Sequence, residues 1–270
     1  MRTKRRPQAT LGGSVFLLAA LPPAAAAASD AQEYANVHTI AIVPMLKNDL
    51  ALQTMGMTIL DNSSHVLTTD WDFNCSFAER ATAALGPRFQ IGSATLPPGL
   101  FDNINPGLFG NYWDLVAERI RALPKPAGVD AYLIAVPVWG VLRDDPARGM
   151  FVYHDAGLLT GKGTVMALPY YVHVLDATTG KRIDYGEGEI PMPNTFSGYG
   201  SPTEHCADDV WPPSPAELTS TQRDRIRQEA ISLLMRSVPF ALFDAKLISE
   251  DSAKAMLASA PPAEPSCHGI

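Results

Sequence analysis

Two long apolar segments constrain the fold of this chain more than any other feature. His38 to Leu46 (HTIAIVPML) and Ala131 to Trp139 (AYLIAVPVW) are continuous apolar stretches, and the first is rich in β-branched residues. Such segments predict buried β-strands. Because a proline cannot donate a ladder hydrogen bond, Pro137 is expected at a bulge or near the end of its strand. The core is therefore expected to form around a β-sheet.

The segments around these two strands predict helices and further strands in a mixed order. A capping box of Ser76 and Glu79 predicts the start of a first helix, and apolar residues at helical spacing predict a second over Tyr112–Leu123. A third begins at Thr221, and Pro239 is expected to break or kink it. Further strands are expected at residues 52–60, 89–94, 151–153, 164–167, 170–175 and 182–190. This order predicts an α/β or α+β fold, a mixed sheet with helices packed mainly on one face.

The N-terminal segment has the pattern of an export signal. Four basic residues precede an apolar segment over Leu11–Ala20, and small residues follow over Ala24–Ala28. Pro22 and Pro23 interrupt the apolar segment well short of the roughly 20 residues that span a bilayer. We therefore expect a cleaved signal peptide, a periplasmic or secreted protein, and no membrane insertion after cleavage.

Composition sets the domain organisation and excludes two kinds of partner. Residues 1–28 are assigned to the signal peptide, 29–258 to a single globular domain and 259–270 to a disordered tail. The chain has 21 basic and 28 acidic residues, and four basic but no acidic residues precede Ser29, so the mature chain carries 17 − 28 = −11. A protein this acidic has no electrostatic surface for nucleic acid or anionic lipid. Neither partner is expected.

The three cysteines are an odd number for an exported protein. One disulfide and one thiol is the simplest arrangement. Cys206 and Cys267 lie in loop-like and tail-like sequence, and we predict that they pair. Cys75 lies at the start of a helix and is expected to be a buried, inert thiol.

Three segments carry a resemblance to a known group of proteins. They are TIAIVPM (Thr39–Met45), VDAYLIAVPVWG (Val129–Gly140) and HVLDATTGKRI (His173–Ile183). Their layout resembles the periplasmic domain at the start of TolB and the CsgG-like domains of secretion proteins, over roughly residues 37–245. Loops 96–111 and 191–220 are longer than that pattern needs. The resemblance implies a non-enzymatic envelope protein that binds other proteins, and it transfers no catalytic residue.

Catalytic and cofactor motifs are absent from the sequence. There is no G-x-S-x-G elbow and no H-E-x-x-H zinc helix, and no cofactor is expected. His154 and Asp155 are the one candidate acid/base pair, because an imidazole titrates near neutral pH. Adjacent strand residues point to opposite faces, which weakens this pair. A secreted hydrolase with a non-standard site therefore stays an alternative to the non-enzymatic interpretation.

The densest group of metal-capable side chains lies between residues 204 and 209. His205, Cys206 and Asp208 together offer an imidazole, a thiolate and a carboxylate, a ligand set that suits zinc or copper. Ligands this close along a chain rarely all converge on one ion. A small periplasmic metal-binding protein is a further alternative, and no metal site is assigned.

Trp211 is the candidate anchor for a partner. It lies in the long loop 191–220, beside two prolines, where it either anchors a partner or packs onto the body of the domain. Loops on a rigid scaffold usually carry recognition. The sequence therefore favours an exported, soluble, non-enzymatic envelope protein that binds another protein through its loops.

Overall fold

A computed structural model describes residues 33–55, 63–97, 99–100, 111–137, 150–155, 163–188, 203–207, 218–262 and 267–269. The chain divides into two compact units, Met1–Ala35 and Asn36–Ile270. All the helices and strands named below belong to the second unit.

The described strands form two β-sheets. In chain order they are Thr39–Pro44 (β1), Asp49–Met55 (β2), Ser63–Thr68 (β3), Gln90–Gly92 (β4), Ala131–Pro137 (β5), Met150–Asp155 (β6), Gly163–Ala167 (β7), Tyr170–Asp176 (β8), Arg182–Glu187 (β9), Thr203–Cys206 (β10) and Cys267–Gly269 (β11). The first sheet has the order β4-β1-β5-β8-β9, and the second has the order β11-β10-β7-β6-β2-β3. Parallel and antiparallel pairs occur in both, so the predicted mixed α/β class is confirmed. The sequence predicted one mixed sheet, whereas the described strands form two.

Four helices lie in the described part of the chain. They are Phe73–Leu85 (α1), Tyr112–Arg121 (α2), Ser220–Asp244 (α3) and Glu250–Ala258 (α4). Helix α1 packs on β1 and on α3, while α3 also packs on β8, β9 and α4. The close approach of α3 to β9 depends on Gly186, since a Cβ there would lie 2.8 Å from the Ala245 amide nitrogen and closer still to the Ala241 carbonyl oxygen.

Helix α2 covers the opposite face of the first sheet from α3. Val116 and Ile120 of this helix pack on Tyr132 and Ile134 of β5, together with residues of β1. Successive side chains of a strand point to opposite faces of the sheet, so alternate residues of one strand contribute to the core on each face. Strands β8 and β9, which form a hairpin, continue the first sheet beyond β5.

The starts of two helices differ from the sequence expectations, by about one turn for α1 and by less for α3. Helix α1 begins at Phe73, because the Asp72 carboxylate accepts the Cys75 N–H at 3.0 Å and so caps the helix before Ser76. Helix α3 begins at Ser220, where Thr219 and Gln222 form the capping box. Helix α4, which follows it, was not predicted.

The sequence predicted a break or a kink at Pro239, and the break is wrong. Helix α3 continues through this residue to Asp244. Pro239 and its neighbours Val238 and Phe240 are buried, so tertiary packing offsets the missing N–H and the ring clash. The predicted buried thiol is also wrong, since Cys75 is exposed on α1. In the segment expected to be a disordered tail, Cys267–Gly269 form β11 on the edge of β10.

Candidate functional site

The predicted acid/base pair lies on β6 in the second sheet. His154 is half-buried, and its Nδ1 lies 3.3 Å from the Thr164 hydroxyl on the neighbouring strand. The backbone of Asp155 pairs with Gly163 and with Met55. The His154 side chain therefore contacts Thr164 of the neighbouring strand. The packing of the sheet accounts for this contact without a substrate.

The structure describes only two of the three predicted metal-capable residues. His205 and Cys206 lie on β10, whereas Asp208 lies outside the described residues. Cys206 is disulfide-bonded, and a disulfide sulfur is not the thiolate that binds a metal. Among the residues that the structure describes, no group of three or more histidine, cysteine, aspartate or glutamate side chains is arranged to hold a metal ion.

The predicted disulfide involves two neighbouring strands. In the register of β10 and β11, the residue opposite Cys206 is Cys267. Cys75 is the free cysteine of the described chain. The predicted pairing of Cys206 with Cys267 stays a prediction for peptide mapping, and its strand register is compatible with it.

Trp211, the predicted anchor, lies outside the described residues. Most of two long loops, the one before α2 and the one that contains Trp211, also lies outside the described residues. The residues concerned are 101–110, 189–202 and 208–217. The described residues instead form a candidate binding surface that the sequence analysis did not predict.

That surface is a cluster of aromatic rings and one arginine on the first sheet, which we call the aromatic surface. It comprises Trp113 of α2, Tyr171 and His173 of β8, and Arg182 and Tyr185 of β9. His173 is only 3% exposed, whereas Tyr185 is 46% exposed and is one of three large hydrophobic residues that stand out into solvent in the described chain.

The rings of the aromatic surface are in mutual contact. The Trp113 ring centroid lies 3.8 Å from that of His173, and the Tyr185 ring is stacked on His173 at 6.0 Å and 24°. Tyr171 meets Tyr185 edge-on at 6.4 Å and 85°. The Arg182 guanidinium lies 5.1 Å from the Trp113 centroid and 4.9 Å from that of Tyr185, within cation–π range of both.

Local sequence explains why these residues meet. The β8–β9 turn is held by Asp176, whose Oδ1 accepts the backbone N–H groups of Thr178 and Thr179 at 2.9 and 2.6 Å. Gly180 completes the turn at φ 67°, the positive φ that the sequence predicted, and sits directly on the Ala117 backbone of α2. The hairpin register then places His173 opposite Tyr185.

The electrostatics of the aromatic surface keep His173 uncharged at neutral pH. Burial, and next the positive charge of Arg182, lower the pKa of His173 to about 3, so its imidazole is neutral. Its Nδ1 is buried and has no hydrogen-bond partner among the described residues. Burial, together with the Glu187 carboxylate that is hydrogen-bonded to it, raises the pKa of Tyr171. The cluster can therefore offer stacking and cation–π contacts to a partner.

Sequence reasoning missed this surface although the signals were present. Tyr171, His173 and Leu175 were placed on one face of β8, and the β8–β9 hairpin was predicted from Asp176 and Gly180. Continuing the hairpin register across the turn places Tyr185 on that same face. The contribution of Trp113 was not available from the sequence, because the helical pattern alone assigned it to a buried stripe.

A second cluster of charged residues belongs to the fold. Arg236 of α3 donates hydrogen bonds to Glu204 of β10 and, at 2.7 Å, to Glu229. Ser232 accepts from the Arg236 Nε at 3.2 Å and donates to the Pro262 carbonyl at 2.9 Å. This buried network joins the second sheet, α3 and the segment after α4, and breaking it by removing one partner is expected to destabilise the protein.

Comparison with known proteins adds little to this geometry. No protein-family model matches the chain, and no curated protein matches it. A solved structure of a hypothetical protein from Chlamydia trachomatis aligns over 83% of this chain and 95% of that chain, with 10% sequence identity and a TM-score of 0.29. Within the described residues, no helix combines the length and the apolar character needed to span a bilayer.

Proposed function

We propose that this chain is an exported, non-enzymatic protein of the bacterial envelope that binds another protein through the aromatic surface. The observation that carries the proposal is the position of Tyr185, which is 46% exposed while its ring rests on the buried His173 and beside Arg182. Tryptophan, tyrosine and arginine are the residue types most enriched at interface hot spots.

The rigidity of the aromatic surface supports binding over a purely structural role. Tyr171, His173 and Tyr185 lie on paired strands, and Trp113 lies on a capped helix packed across the same sheet. A side chain that is already held in place loses little conformational entropy when a partner covers it. An exposed aromatic ring on such a support is therefore well suited to recognition.

Export is supported by the N-terminal pattern and by cysteine chemistry. The basic, apolar and small-residue segments of residues 1–28 match the pattern of a signal peptide. Cys206 is disulfide-bonded, as expected for a protein of an oxidising compartment. Both observations support a partner among proteins of the periplasm or the extracellular space.

Crosslinking in living cells followed by affinity purification and mass spectrometry tests the proposal. Tyr185→Ala and Arg182→Ala are compared with Ile91→Ala, a matched control that removes an exposed apolar side chain, 38% exposed, from the other edge of the same sheet. Loss of a hot-spot side chain costs about 2 kcal/mol, or roughly 30-fold in affinity. We expect one envelope protein to be lost from both test variants and retained by the control.

Two other outcomes have distinct meanings. Capture that is unaffected by Tyr185→Ala and Arg182→Ala but lost in Trp211→Ala would move the interface to the loop that the sequence analysis favoured. The absence of any specific partner, with hydrolytic activity lost in a folded His154→Ala variant, would refute the proposal and support the secreted hydrolase.

A further inference from the structure

The Arg182 guanidinium is the group of the aromatic surface whose hydrogen-bonding capacity is unused. Arg182 is exposed, and the rings of Trp113 and Tyr185 lie 5.1 and 4.9 Å from its guanidinium carbon. A guanidinium carries several N–H donors in a planar fork. Among the residues that the structure describes, none of these donors meets an acceptor, and no carboxylate forms an ion pair with this side chain. The fork is therefore oriented by two rings and open to an acceptor from outside.

Three carboxylates of the β8–β9 hairpin are already engaged elsewhere. Asp176 accepts the N–H groups of its own turn. Asp184 pairs with Lys246 of the segment after α3 at 3.0 Å. Glu187 is hydrogen-bonded to Tyr171. Within the described chain, the hairpin thus supplies acceptors for its turn, for α3 and for a tyrosine, and none for the guanidinium of the aromatic surface.

Two further cations lie at the turn end of the aromatic surface. Lys181 precedes Arg182 in the chain and is exposed. Arg121 of α2 donates from its Nε to the Ala117 carbonyl at 3.2 Å. A Cβ on Gly180 would lie 2.6 Å from that same oxygen, so the Arg121 side chain passes close to the turn. In the part of the chain that the structure describes, neither Lys181 nor Arg121 forms an ion pair.

This local positive charge contrasts with the charge of the whole molecule. The mature chain carries 17 − 28 = −11. The turn end of the aromatic surface combines three cations with two exposed carboxylates of α2, Asp114 and Glu118. Repulsion from more distant acidic residues is screened beyond roughly 8 Å at physiological ionic strength. An anionic group placed directly on Arg182 therefore responds mainly to the local cations.

We propose that the aromatic surface recognises an aspartate or glutamate side chain that stands beside an apolar residue on the partner protein. This inference rests on the proposed function and names the chemistry of its partner. The carboxylate accepts parallel hydrogen bonds from the open edge of the Arg182 fork, a geometry that arginine favours over lysine. The apolar neighbour covers the ring of Tyr185, which is 46% exposed. Covering this ring removes water from the ion pair and strengthens it.

A carboxylate on a protein fits this surface better than a phosphate on a membrane. An anionic bilayer is an extended negative surface, and it attracts polybasic segments with several lysines or arginines. Three cations in a mature chain of net charge 17 − 28 = −11 do not form such a segment. A single acidic side chain needs only the guanidinium and its two neighbouring cations.

Selection from a random peptide library on the immobilised exported protein is the first test. Each selected peptide is tested again on the Tyr185→Ala variant, and those that no longer bind are sequenced. We expect these peptides to be enriched in aspartate or glutamate next to an apolar residue. Peptides that depend on Tyr185 but lack this enrichment would overturn the inference and leave the proposed function standing. If no selected peptide depends on Tyr185, both proposals fail.

An affinity comparison tests the role of the guanidinium. Fluorescence anisotropy measures an enriched acidic peptide and its amide counterpart, in which asparagine or glutamine replaces the acidic residue. We expect the wild type to bind the acidic peptide about tenfold more tightly. Arg182→Gln should bind both peptides equally, and Arg182→Lys should keep only part of the difference, because it keeps the charge and loses the fork.

Lys47→Gln is the matched control for the loss of one positive charge. Lys47 is exposed and forms no ion pair with any residue that the structure describes. It follows β1, whose last residue Pro44 pairs with Ala135, whereas Ala131 at the other end of β5 pairs with Asp176 of the turn. Lys47 therefore lies beyond the opposite end of the first sheet, and Lys47→Gln should keep the full difference between the two peptides.

The ratio of the two affinities separates recognition from packing. If Arg182 only supported the rings, Arg182→Gln would weaken both peptides alike and the tenfold ratio would persist, and that result would overturn the proposal. Circular dichroism confirms that the variant is folded. Vesicles of phosphatidylglycerol provide the second arm of the test. Vesicle binding that is lost in Arg182→Gln, together with equal affinity of the wild type for the acidic and amide peptides, would assign the guanidinium to phosphate and also overturn it.

Discussion

His173 allows a sharp test of the aromatic surface, because its burial links protein stability to pH. The pKa of this imidazole is lowered from 6.5 to about 3 in the folded protein, mainly by desolvation and secondly by Arg182. Between these values the unfolded chain binds a proton that the folded protein does not bind. The stabilising contribution of neutral His173 is therefore fully present above pH 6.5 and is lost progressively as the pH falls toward 3.

The size of this effect follows from the two pKa values. Between pH 7 and pH 5 the unfolded chain protonates almost completely at this position, while the folded protein stays neutral. Linkage then lowers the free energy of unfolding by about 2 kcal/mol, since each pH unit below 6.5 costs roughly 1.4 kcal/mol.

Urea denaturation at pH 7 and pH 5 measures the effect. Carboxylates titrate in the same range, so the wild type is compared with His173→Phe and His173→Gln, which both lack the titrating group but differ in polarity. We expect both variants to lose about 2 kcal/mol less stability than the wild type on going from pH 7 to pH 5. Parallel pH dependence in all three proteins would refute the assignment of a buried, neutral imidazole.

Three further predictions concern packing and cysteine chemistry. Gly186→Ala is expected to lower the free energy of unfolding by about 3 kcal/mol, because the added Cβ would meet the α3 backbone, which cannot rotate away. A loss below about 1 kcal/mol in urea denaturation would show that α3 does not approach β9 so closely. Alkylation of the native, non-reduced protein should label Cys75 alone, and more quickly in Glu79→Gln, because the Glu79 carboxylate raises the pKa of this thiol. Peptide mapping of the same sample should recover Cys206 linked to Cys267, and labelling of either of these residues would refute that pairing.

The sequence predicted the central strands of the first sheet because their signals are local. Thr39–Pro44 and Ala131–Pro137 are continuous apolar segments, and the β8–β9 turn is specified by Asp176 and Gly180 within five residues. Pro137 lies at the last residue of its strand, as its missing donor requires. Patterns of this kind depend on neighbouring residues only, so they can be read from one sequence.

Features set by distant parts of the chain were missed. Pro239 is helical because α3 is buried on either side of it, and Ser63 and Ser64 belong to a strand because β2 pairs with them. Polar composition and a proline favour a turn and a break at these positions, and tertiary packing overrides both preferences. The aromatic surface is of the same kind, because the contact of Trp113 with His173 depends on how α2 crosses the sheet.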